Sequence, residues 1–208
     1  MNRLTLRALF ALTTLAGLWS LLSGSAAVIT WRAEPSVRAA PSAQTAAAAD
    51  EAWATRRLLN LARRLEPTNP LHAQRLARSL EVAALQAPPR SDQERRLLEE
   101  AQTLYLSAAG QRPTWPLGLT DLLRTELKLG LTRGASDDRF TRRFTRAADL
   151  GRSEPAALRA LIDLGLFAWP LLPSAGQASV LELLGHGLRL NADYLLRRAV
   201  ELHRGGLV

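Results

Sequence analysis

The strongest constraint on the fold is a helical spacing of apolar residues that recurs from residue 50 onward. Leu97, Leu98, Ala101 and Leu104, for example, fall at intervals of three and four. That spacing places side chains on one face of an α-helix, whereas a half-buried strand needs alternation with period two. No segment of the chain alternates over a useful length. The pattern therefore predicts an all-α domain over residues 50–208.

Capping residues, prolines and glycines divide this domain into successive helices. Residues that commonly cap or open a helix occur at the start of each apolar set, at Asp50, Asn69-Pro70, Ser91, Thr114, Asp137, Ser153-Glu154-Pro155, Ser174 and Asn191. Helix ends are predicted before Pro67, Pro88 and Pro170 and at Gly110, Gly130, Gly151 and Gly205. Short connections of this kind predict antiparallel hairpins.

The helix-opening prolines Pro70, Pro116 and Pro155 recur at intervals close to the length of two-helix repeats. One amphipathic hairpin cannot bury its apolar face alone, so such hairpins stack on one another. The pair spanning 114–151 is the most similar to a tetratricopeptide-type hairpin. We therefore predict stacked, tetratricopeptide-like hairpins, with a globular helical bundle as the alternative.

A separate segment precedes this domain. Residues 8–31 carry no charge, follow Arg3 and Arg7, and end at Trp31 before Arg32. A helix of this length spans about 36 Å, against about 30 Å for the hydrocarbon core of a bilayer. We predict a signal-anchor at 8–31 in a bacterial inner membrane, with residues 1–7 in the cytoplasm and the domain in the periplasm. Cleavage after Ser25-Ala26-Ala27, as in a secretory signal peptide, is the alternative.

Residues 32–49 are rich in Ala, Pro and Ser and carry little charge. Such a composition cannot bury an apolar face, so it predicts a flexible tether between the anchor and the domain.

The charge balance admits two interpretations. The formal net charge is +8, and all of the 27 basic residues except Lys128 are Arg. A GC-rich genome explains this bias, and most Arg pairs are expected on solvated helix faces. A functional interpretation is a surface for anionic partners, because guanidinium groups bind phosphate and carboxylate. The Arg pairs occur at Arg56-Arg57, Arg63-Arg64, Arg95-Arg96, Arg142-Arg143 and Arg197-Arg198.

No catalytic pattern is visible in the sequence. The chain has no Cys, which excludes disulfides and thiolate chemistry. His72, His186 and His203 lack metal-ligand spacing and are expected to be surface residues. The neighbouring acids Glu99-Glu100 and Asp137-Asp138 diverge on a helix, so neither pair forms a two-carboxylate site. We predict a protein that is not an enzyme, without metal or cofactor.

The most specific signal lies between Arg112 and Trp169. It consists of Arg112-Pro113-Thr114-Trp115-Pro116, then Gly151, Glu154-Pro155 and Trp169. With the N-terminal segment, this resembles the VpsP-type exopolysaccharide biosynthesis proteins. That family has Gly-Pro-Trp-Glu-Pro where this chain has Gly-Arg-Ser-Glu-Pro at 151–155. The resemblance implies an accessory role in exopolysaccharide assembly or export and makes all of these residues except Thr114 candidates for interaction, but it supplies no catalytic residues.

The sequence thus favours a membrane-anchored scaffold whose helical hairpins bind polysaccharide assembly proteins. One alternative is a periplasmic binder of acidic polysaccharide or lipid through the Arg-rich faces. Another is a scaffold for a different envelope assembly, such as a pilus or secretion complex. Nucleic acid is not an expected partner, because the predicted anchor places the domain outside the cytoplasm.

Overall fold

The computed structural model describes residues 12–28, 46–133 and 138–201. Every regular element within these ranges is a helix, and no strand occurs there. The prediction of an all-α fold is confirmed.

The described helices are connected mainly by short loops. They are α1 (12–28), α2 (Ala46–Leu65), α3 (Pro70–Gln86), α4 (Asp92–Gln111), α5 (Pro116–Arg133), α6 (Asp138–Gly151), α7 (Pro155–Ala168) and α8 (Ser174–Glu201), with a 3-10 turn at Trp169–Leu171.

Two predicted helix caps form as expected. The side-chain oxygen of Asn69 accepts a hydrogen bond from the backbone N–H of Leu71 at 3.1 Å, just before Pro70 opens α3. The Ser91 hydroxyl accepts from the backbone N–H of Glu94 at 3.1 Å. These bonds satisfy backbone donors that have no partner within the helix. Pro116 and Pro155 are likewise the first residues of α5 and α7.

Three predicted boundaries are wrong. Helix α2 begins at Ala46, so Asp50 lies inside it and the last residues of the predicted tether are helical. Helix α5 continues past Gly130 to Arg133, and α8 continues through Asn191 to Glu201. In α8, Leu184 and Leu195 are buried in the same core on either side of the predicted break. Their packing keeps α8 continuous through Gly185 and Gly187, although each of these glycines lowers helix stability by about 1 kcal/mol relative to alanine. Asp137, the predicted α6 cap, lies outside the described residues.

Helix α1 is largely uncovered by the rest of the described protein. Leu12, Leu15, Leu18, Leu21 and Val28 are each more than half exposed. Ala26, near the C-terminal end of α1, is instead fully buried. The pKa of Glu66 is lowered by the side chain of Asn69 and, more weakly, by the nearby Ser23 hydroxyl of α1.

In the part of the chain that the structure describes, no helix is both long enough and apolar enough to span a membrane. The segment predicted to do so, 8–31, extends beyond α1 at both ends. Its predicted flanking residues Arg3, Arg7, Trp31 and Arg32 lie outside the described ranges.

The core has two main parts that meet at α5. One cluster, formed by residues of α2 to α5, includes Leu59, Leu76 and Leu122, and the other, formed by residues of α5 to α8, includes Leu123 and Phe144. Consecutive helices pack together throughout, from α2 to α8. Contacts between α5 and α7, and between α6 and α8, add a next-nearest layer. Each helix from α2 to α8 therefore packs against at least one neighbouring helix.

The close packing of α7 against α8 predicts the effect of substituting Gly165. A Cβ at Gly165 would lie 2.5 Å from Val180 Cγ2 and 3.0 Å from Phe144 Cζ. Because neither side chain can withdraw from a packed core, Gly165→Ala is expected to destabilise the protein by about 1–3 kcal/mol. Chemical denaturation followed by circular dichroism measures this change.

Gly110→Ala is the matched control, since nothing lies within 4 Å of a Cβ at that position. It is expected to be neutral or to stabilise by about 0.5 kcal/mol through helix propensity. Equal effects of the two substitutions would contradict the packing of α7 on α8.

Candidate partner-binding groove

A groove of about 380 Å³ lies between α5 and α7. One wall is formed by residues of α5 and the other by residues of α7. On each helix the lining residues recur every three or four positions, so they lie on a single helix face. The lining residues are Thr120, Arg124, Leu127 and Lys128 on α5, Ala160, Asp163, Leu164 and Phe167 on α7, and Arg198 on α8. We refer to this site as the α5–α7 groove.

The apolar part of the groove continues the protein core. Leu127 and Leu164 are 8% exposed and belong to the cluster shared by α5 to α8. Phe167, at the end of the same α7 face, is 54% exposed. An exposed aromatic ring beside a recess, rimmed by charged groups, is typical of a binding surface.

The cations of the α5 wall are held by a buried carboxylate. Glu81 on α3 is 4% exposed, and its oxygens accept hydrogen bonds from Tyr105 Oη at 2.8 Å and Thr125 Oγ1 at 3.0 Å. Arg124 Nη2 at 3.2 Å and Lys128 Nζ at 3.3 Å also donate to it. A single carboxylate therefore joins α3, α4 and α5 and fixes the two groove cations.

The electrostatic balance favours the ionised form of this carboxylate. Burial raises the pKa of Glu81, but the charges of Arg124 and Lys128 and the hydrogen bond from Tyr105 lower it more. The net effect is a pKa below the ordinary value of 4.5.

Arg124 is held in the charged form by the same arrangement. Burial lowers the pKa of Arg124, but the carboxylates of Glu81 and Asp121 raise it well above its ordinary value. Both wall cations carry more N–H donors than Glu81 and Asp121 use. The α5 wall can therefore donate hydrogen bonds to an anionic group in the groove.

At the other side of the groove, Asp163 is already paired. Its carboxylate accepts hydrogen bonds from Arg198 Nε at 2.9 Å and from Tyr194 Oη at 3.0 Å. Arg198 also binds Glu201 at 2.7 Å. The groove thus combines apolar surface with cations fixed at two places, and its described acids are already bonded.

The residues that the sequence singled out for interaction lie elsewhere, at a joint between hairpins. The Arg112 guanidinium lies 5.7 Å from the centre of the Trp115 ring, near the start of α5. Pro113 is exposed, and its carbonyl accepts a hydrogen bond from Arg146 at 3.2 Å. A Cβ at Gly151 would lie 3.5 Å from Pro116 Cβ, so the end of α6 closely approaches the start of α5.

The remaining candidates lie at the connections that precede and follow α7. The backbone N–H of Glu154 donates to the Gly151 carbonyl at 3.1 Å, and Pro155 then opens α7. Trp169 packs against the core, and its carbonyl accepts a hydrogen bond from Gln177 at 3.3 Å. The structure therefore brings Pro116 and Gly151 together at a helix joint and places none of the eight candidates in the groove lining.

The expectation of surface histidines is wrong for His72. This residue is 2% exposed, and its Nε2 lies 2.9 Å from a Glu66 carboxylate oxygen. His186 lies on α8, where its Nδ1 contacts Arg189, and His203 is outside the described ranges. No group of three or more His, Asp or Glu side chains that could hold a metal ion occurs among the described residues.

Comparison with protein-family models, with curated proteins and with solved structures gives no match to this chain.

The buried position of Glu81 predicts a large effect of neutralising it. Glu81→Gln keeps the side-chain volume but removes the charge that balances Arg124 and Lys128. We expect a loss of about 1–3 kcal/mol in the free energy of unfolding at neutral pH, because the buried side chain loses the charge-assisted hydrogen bonds that it accepts from Arg124 and Lys128. Glu100→Gln, on the exposed surface of α4, is the matched control and is expected to change stability by less than about 0.5 kcal/mol.

The same carboxylate predicts a pH dependence. Because the pKa of Glu81 is lowered in the folded protein, its contribution is fully present above 4.5 and is lost as the pH falls through the lower, folded value. Unfolding measured from neutral to acidic pH should show a smaller loss of stability for Glu81→Gln than for the parent protein. Parallel curves for the two proteins would show that Glu81 does not carry this dependence.

Proposed function

We propose that this protein is a non-catalytic, membrane-tethered scaffold of bacterial exopolysaccharide assembly or export. Its tetratricopeptide-like hairpins would bind a short segment of a partner assembly protein in the α5–α7 groove. The observation that carries this proposal is the exposed Phe167 ring beside a groove whose α5 cations are fixed by the buried carboxylate of Glu81.

The chemistry of the groove indicates what kind of segment it would accept. A volume of about 380 Å³ suits a few side chains rather than a folded domain. An apolar side chain of the partner would pack on Phe167 and Leu164, and a neighbouring carboxylate would bind Arg124 and Lys128. Binding of short segments through an apolar anchor and a polar rim is common in helical grooves.

Two observations support the scaffold role and the attachment to a membrane. Consecutive and next-nearest helix contacts are typical of stacked hairpins, which many binding scaffolds use. The exposed apolar side chains of α1 favour burial in lipid or in another protein. The resemblance of the 112–169 segment to VpsP-type proteins makes exopolysaccharide assembly the proposed process.

Site-specific photo-crosslinking tests the proposal in native membranes. A photoreactive amino acid in place of Phe167 is expected to capture a polysaccharide polymerase, a chain-length regulator or an export component. The same amino acid in place of Leu106, which is 40% exposed on α4, is the control and is expected to give no such adduct. Capture of a pilus or secretion component at Phe167 would assign the scaffold to that system instead.

Phe167→Ser should separate binding from folding. Because the ring is about half exposed, the free energy of unfolding is expected to fall by only about 1–2 kcal/mol, which leaves the domain folded. Loss of an interface anchor costs about 2 kcal/mol or more, so affinity for the captured partner should fall at least about thirtyfold. Titration of the purified partner measures this change.

If Phe167→Ser left the affinity unchanged, the α5–α7 groove would not be the binding site. If deletion of the protein left the amount and the chain length of the polysaccharide unchanged, the proposed role in exopolysaccharide assembly or export would be contradicted.

A further inference from the structure

Helix α2 carries an exposed stripe of alternating aromatic, basic and apolar residues. Trp53, Arg57, Leu61 and Arg64 recur every three or four positions, and all four are exposed. This spacing places them on one face of the helix. The opposite face, with Thr55, Leu59 and Ala62, is buried against the rest of the domain. We refer to the exposed set as the α2 stripe.

The charge of the α2 stripe has one sign. Between Trp53 and Leu65 the helix contains four Arg residues and no acid. The Arg57 guanidinium lies 4.7 Å from the centre of the Trp53 ring, a cation–π distance. The stripe borders a depression of about 540 Å³ that is also lined by Leu58 and Asn60.

We propose that the α2 stripe docks on the anionic phospholipid headgroups of a membrane. Trp side chains favour the headgroup level, where the ring is partly buried and its N–H can bind water or lipid. Leu61, between two arginines, would insert at the boundary of the acyl chains, as apolar residues of interfacial helices do. Each Arg near an anionic surface adds about a fivefold gain in binding.

The position of the stripe favours lipid over a protein partner. The pKa of Glu66, the residue directly after α2, is lowered by the side chain of Asn69 and, more weakly, by the nearby Ser23 hydroxyl of the exposed apolar helix α1. Helix α1 therefore approaches the C-terminal end of the α2 stripe, beside Arg64, where one lipid surface can cover both. A second copy of the chain is disfavoured, because pairing two stripes would bring like charges together.

The full-length protein in vesicles provides the test, because the chain contains no native Cys. Ala54→Cys, beside the stripe, receives an environment-sensitive fluorophore, and Ala178→Cys on α8 receives the same label as a control. The vesicles contain lipid-borne quenchers and either phosphatidylcholine alone or phosphatidylcholine with phosphatidylglycerol. This measures docking of α2 separately from attachment through α1, since each label reports only its own depth.

The expected result is quenching of the label at 54, not at 178, and only in vesicles that contain phosphatidylglycerol. Adding Arg57→Glu with Arg64→Glu should weaken docking at least about thirtyfold, since each lost Arg removes about a fivefold gain. Arg142→Glu with Arg159→Glu makes the same change in net charge on exposed sites away from the stripe and should leave docking in place. Circular dichroism confirms that each variant keeps its helices.

Three results would overturn the proposal: no quenching at position 54, equal quenching in both lipids, or equal loss with both Arg pairs. Protection of the label by an acidic polysaccharide or by polyglutamate, without any effect of vesicles, would assign the stripe to a polymer and also overturn it. The groove variant Phe167→Ser is expected to dock normally, because this inference does not depend on the α5–α7 groove.

Discussion

The buried carboxylate of Glu81 is the interaction on which the arrangement of the central helices depends. It accepts hydrogen bonds from Tyr105 on α4 and from Arg124, Thr125 and Lys128 on α5, so one side chain sets the register of three helices. A buried charge is costly unless its partners are complete, and this requirement disfavours other registers that would leave it unpaired. The same bonds hold two cations at the edge of the α5–α7 groove. Stability and the proposed binding surface therefore share one set of contacts.

Helix α5 connects the two parts of the core with that surface. Leu122 packs in the N-terminal cluster, Leu123 packs in the C-terminal cluster, and Arg124 turns toward the groove. Because three successive side chains each occupy a different environment, rotation of α5 about its axis would disrupt at least one of these contacts. A rigid wall of this kind lowers the conformational entropy that the groove itself must lose when a partner segment binds. Phe167 on α7 then supplies apolar surface that the fold itself does not use.

The sequence predicted local features better than distant contacts. The caps at Asn69 and Ser91 and the proline starts of α3, α5 and α7 followed from local backbone chemistry. The continuous helix through Asn191 did not, because burial of Leu195 depends on neighbours far along the chain. The groove was missed for the same reason: Glu81 and Lys128 are 47 positions apart. The Arg112–Trp169 motif pointed instead to a joint between hairpins, where Gly151 approaches Pro116.

Hydrogen–deuterium exchange of the protein in its native membranes tests the central claim, that a partner segment occupies the α5–α7 groove. The account predicts that backbone amides of 120–128 and 160–167 exchange more slowly there than in the purified protein. The backbone amides of α4 around Leu106 should exchange at the same rate in native membranes and in the purified protein. Slower exchange that is confined to other helices, or identical exchange throughout, would contradict the assignment of this groove as the binding site.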